Sequence, residues 1–129
     1  MVGYNYRMPN INAALGCAQL EQLPAFLVAK RNLADRYHQA FATIPGLRFF
    51  TEPAGCQSNY WLNTLLLGEE YAGHRDELLA ATNDADIMTR PAWTLMNKLP
   101  MFAGCPGMDL CVAESLEKRL INIPSSASL

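Results

Sequence analysis

The chain has 129 residues, enough for one domain of ordinary size. Half of it is hydrophobic and 17% is charged, a balance that supports a buried core and excludes a disordered chain. The formal net charge is −2, with no block of like charges, which excludes a basic stripe for nucleic acid or an anionic membrane; no apolar run approaches the ~18–20 residues of a bilayer span.

In chain order, Met8, Ile11, Leu15 and Ala18 recur at helical spacing and predict a first helix, with Pro9 in its first turn. Gly16 lies inside it, at a cost of ~1 kcal/mol relative to Ala. Pro24 is expected to break or kink the pattern. A second helical stretch runs over 25–42, with Leu27, Ala34, Tyr37 and Phe41 buried and Lys30, Arg31, Asp35 and Arg36 solvated. Ile44-Pro45-Gly46 ends it with turn chemistry. Leu47 to Phe50 is a short strand, 53–58 a loop, and 60–67 a central strand rich in aromatic and branched residues.

A short helix is expected over 74–82, with Leu78 and Leu79 inward, and a strand over 86–89, stopped by Pro91. The segment 93–102 is compact, with one helical turn before Pro100. Asp109 is placed to cap a helix over 110–118. Leu120 to Ile123 is the last strand, and 125–129 reads as a mobile tail. The order predicts an α+β fold: a two-layer sandwich of a small, mainly antiparallel sheet with helices, preceded by a long kinked helix.

No self-contained active-site motif is present. His38 and His74 sit among charged residues and read as surface side chains. Cys17, Cys56, Cys105 and Cys111 form no Cys-x-x-Cys pair, so a zinc site is not expected; they read as reduced, buried thiols. With no signal pattern at Met1, a cytoplasmic protein is expected. The unusual segment is 3–16. Its Tyr4-Asn5-Tyr6-Arg7 run before a helix offers an amide, a guanidinium and free N–H groups to an anion, and equally fits a polar loop entering a core helix.

That segment resembles the DegT/DnrJ/StrS family of sugar aminotransferases, shortly after their active-site lysine. The resemblance rests on Gly3 to Met8, then Ala13-Ala14 and Gln19-Leu20. The stretch from Thr89-Arg90-Pro91 through Trp93 and Asn97 to Phe102 is also similar, as is Asn122-Ile123-Pro124-Ser125-Ser126. The last two look nearest to the LegC-like branch, which acts on nucleotide-linked amino sugars.

The resemblance implies a pyridoxal phosphate-dependent dimer of the aspartate-aminotransferase type. Residues 1–129 would be its C-terminal small domain, with 1–23 a remnant leading in from the large domain. The full parent would be a transaminase moving an amino group, from glutamate, onto a nucleotide-linked keto-sugar for lipopolysaccharide or another surface polysaccharide. Asn5 matches the position that reaches the cofactor phosphate of the dimer mate. Tyr6, Arg7, Arg90, Trp93 and Asn97 would contact the substrate, although many relatives carry histidine where this chain has Asn97. Of Lys30, Lys98 and Lys118, none matches the Schiff-base lysine, so this chain is expected to hold no catalytic residue, bind no cofactor alone and be inactive alone. Its start in mid-motif suggests a truncated gene. Ile11, Leu15 and Ala18 would then favour self-association, as a homodimer or higher oligomer. The rival reading is a non-catalytic binding, dimerisation or regulatory module of the same descent.

Overall fold

The structure, a computed structural model, describes residues 6–129. Helix α1 (Asn10–Phe41) leads into β1 (Leu47–Phe49) and β2 (Asn63–Leu67). A 3₁₀ segment (Glu69–His74) precedes α2 (Arg75–Asp84), followed by β3 (Arg90–Pro91). Two 3₁₀ turns (Met96–Lys98 and Pro100–Phe102), α3 (Cys111–Glu117) and β4 (Leu120–Ile123) complete the order. The strands form one antiparallel sheet in the order β1-β2-β4-β3. The expected small antiparallel sheet with helices and a long leading helix is what forms.

Alternation along the strands sets the core. Leu65 and Leu67 of β2, Ile121 and Ile123 of β4 and Phe49 of β1 are buried together with Ala34 of α1 and Tyr60. Tyr37 and Phe41 of α1 and Leu78 and Leu79 of α2 pack against this cluster. Register places Asn63 opposite Ile123 and Leu65 opposite Ile121, so both central strands turn the same set toward the helices. Between those residues, Thr64 Oγ1 donates to Asn122 Oδ1 at 3.0 Å.

The expected break at Pro24 does not occur: α1 runs unbroken for 32 residues. A mid-helix proline costs ~3 kcal/mol and leaves the carbonyl four residues back without its donor. Here that carbonyl belongs to Leu20, and both Pro24 and Leu20 are exposed, so the lost bond falls on the solvent side of the helix rather than in the core. Only the second half of α1 is buried, at Leu33 and Ala34. Ile11, Leu15, Leu20 and Val28 are all at least 60% exposed.

Four further expectations are corrected. The strand over 86–89 is absent because α2 consumes its first residues in a cap: Asp86 takes φ 61°, its N–H donates to Asn83 O, and Ile87 N–H donates to Thr82 O. The strand appears instead at Arg90–Pro91, on the sheet edge, where a proline removes no needed bond. The central strand begins at Asn63 rather than residue 60, since Tyr60 has φ 44°. The tail is tied back: Ser125 Oγ accepts from Asn63 N–H at 2.7 Å and Ser125 O accepts from Lys30 Nζ. All four cysteines are free and exposed, not buried. Asp109 stands one position before the N-cap, which is Leu110, and from there its Oδ1 accepts from Cys111 N–H at 3.0 Å.

Gly46 shows why the turn after α1 is glycine. It holds φ 71°, and a Cβ there would stand 2.0 Å from Cε2 of Tyr71. Among the described residues no helix is long and apolar enough to cross a membrane, and no group of three or more metal-ligating side chains converges.

Asn63 is 1% exposed, and neither polar atom of its side chain has a partner. A buried orphan amide costs ~1–3 kcal/mol. Asn63→Leu, of similar volume, is therefore expected to raise unfolding free energy by ~1 kcal/mol or more in urea titrations. A destabilised variant would show that an internal water satisfies the amide.

Candidate functional site

β3 and the segment that follows it carry three of the side chains singled out in the sequence. Arg90 opens β3 opposite Asn122 and is exposed. Its strand is held from both sides: Thr89 Oγ1 meets Thr82 Oγ1 at 2.6 Å, and Asn122 Nδ2 donates to Pro91 O. Trp93 is 70% exposed, and Asn97 is exposed in the turn Met96–Lys98. Asn97 lines a groove of about 340 Å³ with Leu95, Met96, Phe102 and Leu110.

Trp61 joins this set, and sequence reasoning missed it. Its ring lies nearly parallel to that of Trp93, with 16° between planes and 6.4 Å between centroids. Read as part of a regular strand, Trp61 would alternate in or out with its neighbours. The left-handed backbone at Tyr60 and an Asx turn, with Trp61 N–H donating to Asn59 Oδ1 at 3.0 Å, take it out of the ladder instead. Trp61 also lines a groove of about 450 Å³ with Leu23, Phe26, Lys30 and Ser126.

The loop that delivers Trp61 is clamped from α1. Arg31 donates to both carboxylate oxygens of Glu52, at 2.5 and 3.2 Å, and to Ser58 O at 2.7 Å. Glu52 also accepts from Ser58 N–H, and the guanidinium stands 5.6 Å from the centre of the Tyr60 ring. The hydrogen bond from Arg31, then that from Ser58 N–H, holds the Glu52 carboxyl below its usual range, and Glu52 in turn raises Arg31. Arg31 is thus not a solvated side chain but the tie between α1 and the 52–60 loop.

Lys30 is not on the helix exterior either. Its Nζ donates to Ser125 O at 2.5 Å and to Trp61 O at 3.4 Å, and burial lowers its pKa. Lys98 is paired with Glu117, and Lys118 is exposed beyond the end of α3. Lys30 and Lys98 thus each hold another part of the chain, whereas Lys118 is a surface side chain. His38 is exposed, and His74 forms a surface pair with Glu77 at 3.0 Å, as expected of surface histidines.

Tyr6 and Arg7, both exposed, precede the N-cap Pro9. Asn5 lies outside the described residues. At 1.5 Å per residue, ~30 Å of α1 separates Pro9 from Lys30, whose amine touches the Trp61 carbonyl. The structure therefore brings Arg90, Trp93 and Asn97 onto one segment and leaves Tyr6 and Arg7 at the far end of the helix.

A model of the DegT/DnrJ/EryC1/StrS aminotransferase family matches residues 1–129. The chain belongs to this family. GDP-perosamine synthase of Vibrio cholerae is 36% identical over 126 residues, covering 97% of this chain and 34% of that protein. The aminotransferase TlmJ of Streptoalloteichus hindustanus superposes with a TM-score of 0.83 at 28% identity, over 92% of this chain and 31% of TlmJ. Helicobacter pylori PseC, an aminotransferase involved in pseudoaminic acid biosynthesis, gives a TM-score of 0.90 at 20% identity, over 100% of this chain and 35% of PseC; at that identity the likeness is one of fold. The chain spans about a third of the length of the curated relatives it matches.

Because Glu52 is held below its ordinary carboxylate pKa in the fold, its contribution to stability is present above that ordinary value. It is lost as pH falls through the lowered one. Glu52→Gln is expected to flatten part of the acid limb of a melting temperature–pH profile below pH ~4. Superimposable profiles for the two proteins would show that the clamp carries no linkage.

Proposed function

We propose that this chain is the C-terminal, substrate-covering part of a pyridoxal phosphate-dependent aminotransferase acting on a nucleotide-linked keto-sugar. The observation that carries the reading is the family match over 1–129 together with the gathering of Arg90, Trp93 and Asn97 on one exposed segment. The relative named GDP-perosamine synthase supports a sugar nucleotide as the substrate class. In this reading Arg90 supplies a forked cation suited to a diphosphate or a sugar oxygen. Trp93 supplies a face for a sugar ring or base, and Asn97 an amide that donates and accepts. Tyr6, Arg7 and Asn5 serve the cofactor and substrate of a neighbouring subunit.

Residues 1–23 belong with a large domain that holds the cofactor, and the amino donor is glutamate. The parent acts in the cytoplasm in amino-sugar synthesis for lipopolysaccharide or another surface polysaccharide. It works as a homodimer. Alone, the chain binds no cofactor and transfers no amino group: Lys30 and Lys98 are engaged elsewhere, and Lys118 is a surface side chain beyond the end of α3. The apolar residues along the first half of α1 support self-association of the isolated chain.

Two measurements test this. In a parent enzyme carrying this domain, Arg90→Ala is expected to raise KM for the keto-sugar nucleotide by about tenfold to a hundredfold, the equivalent of one hydrogen bond to a charged group. An unchanged KM removes Arg90 from the site. For the isolated chain, sedimentation is expected to show a dimer or larger species that Ile11→Glu and Leu15→Glu dissociate. A strict monomer at high concentration contradicts self-association.

A further inference from the structure

Trp93 and Asn97 sit in a stretch whose regular structure is a single 3₁₀ turn, with Lys98 N–H donating to Leu95 O at 2.9 Å and Leu99 N–H to Met96 O at 3.1 Å. Those bonds shape the turn but do not attach it to the rest of the molecule. Besides the stacking of Trp93 on Trp61, attachment comes through hydrogen bonds from α3. The last residue of that helix, Glu117, turns its carboxylate under the segment, where its side chain is only 12% exposed. One carboxylate oxygen accepts the Leu95 N–H at 3.2 Å, and the other pairs with the Lys98 ammonium. Leu95 lies midway between Trp93 and Asn97, and Lys98 directly follows Asn97.

Glu117 is itself anchored. Its main-chain carbonyl accepts from Arg75 Nη1 at 2.7 Å, which fixes the end of α3 to the start of α2. Two residues later Arg119 Nη1 donates to Leu67 O at 2.9 Å, and the chain enters β4. The carboxylate is therefore referenced to the sheet, whereas the segment it holds is not hydrogen-bonded into a strand.

We propose that Glu117 is a positioning residue of the candidate site: it clasps the Leu95 amide and Lys98, and so sets where Trp93 and Asn97 are presented. This rests on the reading of those two side chains as substrate contacts, but the clasp itself exists without substrate. An unbranched carboxylate of this reach spans the backbone donor and the ammonium at once; the methyl end of methionine fills the same volume and accepts from neither. Glutamine keeps an oxygen for the Leu95 N–H and gives up the ion pair.

Amide hydrogen exchange of the 129-residue chain, read residue by residue by NMR, separates these cases without any ligand. In Glu117→Met the Leu95 amide is expected to exchange on the order of tenfold faster, while the β2 and β4 amides keep their protection. In Glu117→Gln, Leu95 is expected to return toward its original rate. Unchanged Leu95 exchange in Glu117→Met would overturn the proposal. So would protection lost equally from the sheet in either variant, which would assign Glu117 to global stability. Because no substrate is used, neither outcome depends on the aminotransferase reading, which stands or falls on the Arg90 measurement.

Discussion

Everything placed at the candidate site depends on the pairing of β2 with β4. These two short strands are the centre of the sheet, and their inner faces carry most of the buried aliphatic volume at Leu65, Leu67, Ile121 and Ile123. A slip of one residue would turn those side chains outward and bring Thr64 and Asn122 in, so the register is fixed by the apolar set. Once it is fixed, the chain on either side has little choice. Upstream of Asn63 it leaves the ladder at Trp61. Downstream of Ile123 it reaches Ser125, whose hydroxyl and carbonyl take the Asn63 N–H and the Lys30 ammonium. The groove beside Trp61 is built from those two exits plus one face of α1.

Local chemistry was legible wherever a residue acts within a few positions of itself. The strand at Leu120–Ile123, the service of Asp109 to α3, the turn at Gly46 and the burial of Ala34, Tyr37 and Phe41 all follow from spacing and turn residues. The segment motifs also carried the family. What sequence could not show were partnerships across long separations. Arg31 and Glu52 are 21 residues apart, Lys30 and Ser125 95 apart, and Leu95 and Glu117 22 apart. On a helical wheel Arg31 and Glu117 look solvated, because a wheel says which face a side chain shares and not what another element brings to it.

Two misreadings have local causes. The run Asp86-Ile87-Met88-Thr89 has strand-like composition, but the cap of α2 needs a left-handed residue at once, and Asp tolerates that conformation better than most. Pro24 read as a breaker because a lost donor is costly when buried. Here the lost bond falls on the solvent side of a long helix, and the burial at Leu33 and Ala34 further along keeps the helix registered to the sheet. Neither Trp61 nor the Tyr60 backbone gave any warning: an aromatic-rich run is the ordinary signature of a central strand.

The half-buried character of α1 links the fold to the arrangement of the site. The helix is ~48 Å long, yet the sheet it packs on is four short strands wide, so the core covers only its second half. Its first half presents Ile11, Leu15 and Leu20 to solvent and carries Tyr6 and Arg7 at its tip. A single copy of the domain cannot fold that tip back to the Arg90–Trp93–Asn97 segment, because a continuous helix does not reverse. If both groups act on one substrate, they must come from different chains or meet through a further domain packed on the apolar half of α1. In the dimer proposed above, the same rigidity would make α1 a strut that carries one chain's residues toward a neighbouring site.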